Sequence, residues 1–160
     1  MKTYLIILLI LATILAGCSA VLTDKEQVEA IHVKNIKAVI NGDAKLAAKD
    51  FSPDYIDFKR GPLKLDEAYF NNTVFTTQFY KEKIKGKTVK SLFDLNKKFL
   101  YNYDEVMNSS YKEEGKGQWF EYKQGDIIIN YPPKEESGLQ EGFFAVYRKE
   151  NNEWKIVAGQ

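Results

Sequence analysis

One cysteine, Cys18, and one histidine, His32, are all that this chain of 160 residues holds of those two types. A Cys/His zinc site therefore cannot be assembled, and no disulfide can close within the chain. No metal and no cofactor is expected. An excess of one charge is missing as well, since 23 Lys and Arg stand against 22 Asp and Glu. A general nucleic-acid binder needs a basic face, so nucleic acid is not expected as a partner. Internal repeats, low-complexity tracts and long linkers are absent, which leaves one domain large enough to build its own core. No Ser sits in a nucleophile elbow, no Gly-rich loop is built for phosphate, and no His is paired with an acid. Rings, in contrast, are plentiful. Ten Tyr, ten Phe and two Trp require an aromatic core or an aromatic pocket.

The amino-terminal stretch has the three parts of an export signal: a basic start at Lys2, an apolar core from Tyr4 to Ala16, and small residues before Cys18. A helical core of this length spans roughly 20 Å and falls short of the hydrocarbon thickness of about 30 Å. It suits a removable signal better than a permanent span. The sequence Leu15-Ala16-Gly17-Cys18 that ends it resembles the lipobox of bacterial lipoproteins. The resemblance implies a signal peptide over residues 1–17, with Cys18 as the first mature residue and the site of lipid attachment. Its sulfur would carry a diacylglyceryl group and its amine an acyl chain such as palmitate. Residues 18–22 then form a lipidated tether, and residues 23–160 form the domain. With Ser19 rather than Asp after Cys18, the same resemblance favours the outer membrane if the source has one. An uncleaved anchor over Tyr4 to Leu22 is the alternative, nearly long enough to cross a bilayer. Once Lys2 leaves with the signal, 22 basic side chains face 22 acidic ones.

The domain reads as helices first and strands afterwards. Thr23-Asp24-Lys25-Glu26 fits a capping box, and Val28, Ile31, Ile36, Val39 and Ile40 recur at helical spacing up to an Asn41-Gly42 stop. His32 and Asn35 lie near that apolar stripe; the spacing predicts a half-buried or rim position for His32. Asp43 caps a second, short helix that ends at Phe51-Ser52-Pro53. Tyr55 to Phe58 reads as a strand, Arg60-Gly61-Pro62 as its turn, and Leu65 to Phe75 as a third helix burying Leu65, Ala68, Tyr69 and Phe75. Val89 to Leu95 is a strand candidate that also suits a helix. Phe99, Tyr101 and Tyr103 alternate as three rings on one side of a strand. Lys112 to Gly117 is a charged turn, Gln118 to Tyr122 returns from it, and Ile127 to Tyr131 is stopped by Pro132-Pro133. Phe143 to Arg148 and Trp154 to Val157 make a hairpin about Asn151-Asn152. The expected fold class is α+β, with amino-terminal helices packed on one face of a curved, mainly antiparallel sheet.

These pieces, over about Thr23 to Ala158, resemble the nuclear transport factor two-like superfamily, the cone-shaped fold shared with ketosteroid isomerases and polyketide cyclases. They are the capped first helix, the Asn41-Gly42-Asp43 break, the Phe51-Ser52-Pro53-Asp54-Tyr55 lead into a strand, and the closing hairpin. The resemblance implies a sheet wrapped around helices to leave an apolar pocket. In the isomerase branch an Asp base and a Tyr donor work in such a cavity. Tyr55 and Asp57 are two apart on one strand and so share a face, which permits a common pocket and equally a common solvent face. His32, Tyr55, Asp57, Trp119 and Tyr131 are the candidate ligand-binding residues; Trp119, Tyr122 and Tyr131 are read as a possible aromatic groove. No catalytic residue is assigned. Tyr80, Lys81, Lys83, Lys85 and Lys87 offer a basic strip for anionic head groups, or a solvated turn. The expectation is an envelope lipoprotein, bound to a bacterial membrane through its lipid, that binds a small apolar ligand, a peptide or an envelope partner. An isomerase- or cyclase-like enzyme and a structural accessory of an envelope complex are the alternatives.

Overall fold

A computed structural model describes residues 22–113 and 119–160. The signal peptide, the lipobox, Cys18 and all of the tether before Leu22 lie outside the described residues, as does most of the Lys112 to Gly117 turn. Among the described residues no helix is long and apolar enough to cross a membrane.

The first helix, α1 (Asp24–Asn41), starts where its capping residues dictate. The Thr23 hydroxyl accepts from the Glu26 amide, and the Glu26 carboxylate accepts from the Thr23 amide at 2.8 Å. Two otherwise orphaned amides are thereby satisfied. It stops at Gly42, whose φ of +72° is the left-handed conformation that frees the Gly42 and Asp43 amides to reach back to Val39 and Ala38. Asp43 then caps α2 (Ala44–Lys49) by accepting from the Leu46 amide at 2.9 Å.

The chain next enters β1 (Phe51–Asp57) and turns into the two-residue β2 (Gly61–Pro62). A short α3 (Glu67–Tyr69) runs on as a π-helical turn (Phe70–Val74), and a second π turn spans Tyr80–Ile84. The wider π turns shift the phase of the third helix. Phe70 is therefore the buried residue, while Ala68, expected inside, is exposed. Val89–Leu92 is a single helical turn, α4, and not a strand, because the Thr88 and Ser91 side chains close a capping box around it. After β3 (Phe99–Asn102) comes α5 (Tyr103–Met107), so Tyr103 opens a helix instead of completing a strand of alternating rings. Asn102 causes this by accepting from the Glu105 amide at 2.9 Å. The expected return strand from Gln118 is likewise not formed over Trp119 to Tyr122. The last three strands are β4 (Ile127–Tyr131), β5 (Phe143–Glu150) and β6 (Glu153–Gly159). Asn151 and Asn152, at φ +51° and +64°, make the two-residue turn between β5 and β6.

The strands form one curved, unclosed sheet in the order β2-β1-β6-β5-β4-β3. All neighbours are antiparallel except β1 and β6, which run parallel. On one face α1 packs Val28, Ile36 and Ile40 against Ile127, Ile129, Tyr147 and Ile156. Each such aliphatic side chain contributes about 1.5–3 kcal/mol by leaving water. The opposite face carries a second core. Ile128, Phe144, Val146 and Val157 meet Val106 of α5, Phe120 and Tyr122 there. Strands with apolar residues in unbroken runs have no polar side to offer water, and α5 with the following segment covers them.

Candidate functional site

Helix α1 positions the buried polar groups. Its face toward the sheet carries His32 and Asn35, both fully buried. The rim position expected for His32 is therefore corrected. Residues at positions 28, 32, 35 and 36 share one side of the helix, and the aromatic ends of β4 and β5 close over them. The His32 ring stacks on Phe143 at 4.7 Å and meets Tyr131 edge-on at 4.8 Å. Its Nδ1 shares a hydrogen bond of 3.2 Å with the Tyr147 hydroxyl, and its Nε2 has no partner in hydrogen-bond geometry among the described residues. Burial pushes the imidazole down to about 3, against a smaller opposing pull from the Phe143 backbone. At neutral pH this histidine is an uncharged core group. Burial, followed by the nearby Asp50 carboxylate, pushes the Tyr147 phenol well up.

Two recesses lie on either side of Val39 and Phe143, between α1 and its neighbours. The larger, of about 490 Å³, is walled by Ile36, Ile40, Ile84, Leu92, Phe93 and Leu139. The acid in its lining, Glu141, is half-exposed at the rim and ion-paired with Lys59. No buried carboxyl faces the inside. The smaller recess, of about 200 Å³, holds the polar groups: Asn35, Tyr55, Asp57, Arg60 and Tyr69 all line it. Tyr55 and Asp57 are both buried there, so the shared pocket and not the shared solvent face is what the strand delivers. The larger recess contains neither of them.

The Asp57 carboxylate is already engaged. Its Oδ1 accepts from the Lys59 and Arg60 amides at 2.9 Å each, and its Oδ2 lies 3.5 Å from Arg60 Nε. Three donors hold the carboxylate as the cap of the β1–β2 turn. Burial first, and the Asp57 charge second, push the Tyr55 phenol well up, so its hydroxyl keeps its proton. Asn35 is held from one side only: Nδ2 donates to the Ala47 carbonyl at 2.7 Å, and Oδ1, also buried, has no partner among the described residues.

The other sequence candidates are elsewhere. Tyr131 belongs to the α1 face, where its hydroxyl donates to Glu29 at 2.9 Å. Burial and that carboxylate push its phenol up. Trp119 is half-exposed and lies against Gly61, where a Cβ would meet its ring at 3.2 Å. Tyr122 belongs to the core of the opposite sheet face. Trp119, Tyr122 and Tyr131 thus do not line one groove. The sheet itself separates Tyr131 from Tyr122. The basic strip, for its part, lies where the Gly86 amide donates to Ile40 at the far end of α1, a helix length of about 27 Å from Thr23.

Sequence reasoning passed over Val39, Phe143 and Arg60. The signal for Arg60 was its place directly before Gly61-Pro62, which reads as a turn and hides a guanidinium that returns to Asp57. Among the described residues no cluster of three or more His, Cys, Asp or Glu is arranged to hold a metal ion. Comparison of the chain with family models, with curated proteins and with solved structures finds no match.

Proposed function

We propose that this chain is a lipid-anchored protein of the cell envelope, attached through Cys18, whose α+β domain binds a small apolar ligand without transforming it. The observation that carries the reading is the larger recess. It is a concave, aliphatic and aromatic hollow of about 490 Å³ between α1, α4 and the start of β5, within the size range of small-molecule sites. A sheet curved around α1 with an apolar hollow beside it is also what the nuclear transport factor two-like resemblance implies, and that fold is proposed on the same grounds.

Binding is favoured over isomerase-like chemistry by the state of the acid. A general base needs a lone pair within reach of its substrate and a pKa tuned to the task. Asp57 is instead spent on two backbone amides and a guanidinium. Among the described residues, no buried carboxyl lines the larger recess.

The test has two arms on the full-length chain. Cells grown with labelled palmitate incorporate label into the wild type and not into Cys18→Ala, and the variant leaves the membrane fraction. Native mass spectrometry of the wild-type chain released from its envelope shows an added small-molecule mass, which Val39→Trp loses because the indole fills the hollow. Absence of label on the wild type refutes the anchor. Absence of any bound mass, together with no uptake of added apolar probes, refutes the binding module.

A further inference from the structure

The smaller recess contains an acceptor with nothing to accept from. Asn35 is fully buried, and the bond from its Nδ2 to the Ala47 carbonyl fixes which way the amide points. Asn35 lines the smaller recess, and its Oδ1 has no donor among the described residues. Leaving such an atom dry is costly, and a group that donates to it is correspondingly favoured. Beside it in the same recess are the Tyr55 hydroxyl, which retains its proton, and Asp57, whose charge is already matched by Arg60 and two amides. The arrangement thus holds one unmet acceptor and two hydroxyls able to donate in return, those of Tyr55 and Tyr69.

An anionic head does not fit this set, because it would bring a third acceptor against Asn35 Oδ1 and Asp57. A hydroxyl does fit: its proton goes to Asn35 Oδ1 and its oxygen accepts from Tyr55. Size agrees, since an apolar cavity of about 150 Å³ admits benzene, and this one measures about 200 Å³. The two recesses share Val39 and Phe143, so only those side chains stand between a polar end seated here and the larger hollow.

We infer that the ligand is an apolar molecule ending in a neutral hydroxyl, of phenol or alcohol type, with that hydroxyl held between Asn35 and Tyr55 and its apolar body in the larger recess. This rests on the binding reading above and names the class of ligand for it.

Equilibrium dialysis of the full-length chain in detergent micelles tests it, with empty micelles as the reference. The probes are 2-naphthol and its near-isostere 2-methylnaphthalene. The wild type is expected to prefer the naphthol by about tenfold beyond the micelle reference, a hydrogen-bond discrimination of ordinary size. Asn35→Leu removes that preference and still takes up the methylnaphthalene. Tyr55→Phe, which keeps the ring and deletes only the hydroxyl, reduces the preference and serves as the readout should Asn35→Leu fail to fold. If the wild type takes up both probes with no preference, or the preference survives Tyr55→Phe and Asn35→Leu unchanged, this inference is overturned while the binding module stands. If neither probe binds above the micelle reference, the binding module falls and this inference with it.

Discussion

Acidification should weaken this domain through one residue. His32 is the sole histidine of the chain, is fully buried, and in the fold holds a pKa of about 3 against 6.5 for a free imidazole. Its folded pKa is depressed, so between those values the unfolded chain binds a proton that the folded chain refuses. Stability then rises with pH across the window. The full contribution is present above 6.5 and is lost as pH falls toward 3. From pH 7.5 to pH 5.0 the loss is about 2 kcal/mol, each unit of the window carrying about 1.4 kcal/mol. For a domain with a urea slope of about 2 kcal/mol per molar, the midpoint moves down by about 1 M. Carboxylates do not blur the result. Glu26, Asp66 and Glu105 are held below their usual values by their hydrogen-bond partners, so what they contribute is lost only at lower pH, below the ordinary carboxylate range. Urea melts of the full-length chain in detergent, followed by Trp fluorescence at both pH values, read the shift. His32→Gln should show a midpoint nearly independent of pH over this interval. A wild type that melts at the same urea concentration at both pH values, or a His32→Gln that retains the whole shift, refutes the reasoning.

Further expectations concern packing and charge. Asp126 is fully buried and accepts from Arg148, Nε to Oδ1 and Nη2 to Oδ2 at 2.7 Å, and from the Lys123 amide at 2.8 Å. Arg148→Met should cost about 3 kcal/mol by stranding that carboxylate, and adding Asp126→Asn should restore a large part of it; additive losses in the double-mutant melts would argue against the coupling. Gly159→Ala puts a Cβ at 2.4 Å from the Phe144 carbonyl, which forces β6 off β5 at a cost of about 1–3 kcal/mol, seen as a lowered urea midpoint. Thr23→Ala removes the cap of α1 and should cost about 1 kcal/mol by the same measurement.

Local chemistry was the part of the fold legible in the sequence. The Thr23 and Glu26 box, the Gly42 stop, the Asp43 cap and the Asn151-Asn152 turn each involve residues within a few positions of one another, and all four form as read. The α4 turn was misread because Val89 and Leu92 serve a strand or a helix equally well. Thr88 with Ser91, a weaker box than one closed by Glu, decided it. The second core went unseen although Ile127-Ile128-Ile129 and Phe143-Phe144-Ala145-Val146 are unbroken runs, the mark of a strand buried on both faces. At the candidate site the pairing of Tyr55 with Asp57 follows from strand spacing. The unmet Asn35 acceptor does not, because it depends on where the Ala47 carbonyl falls after a helix break.

The parallel neighbours β1 and β6 have a consequence for how this protein comes into being. β6 is the piece between the two halves of the sheet, yet it is encoded after every other strand. A ribosome working at about 5–20 residues per second finishes β1 several seconds before its neighbour exists. Until then β1 has one bare edge, and only the small cluster of Ala38, Ala44, Ala47 and Phe70 to lean on. A stop codon after Glu150 would not trim a margin; it would leave two fragments with no seam between them.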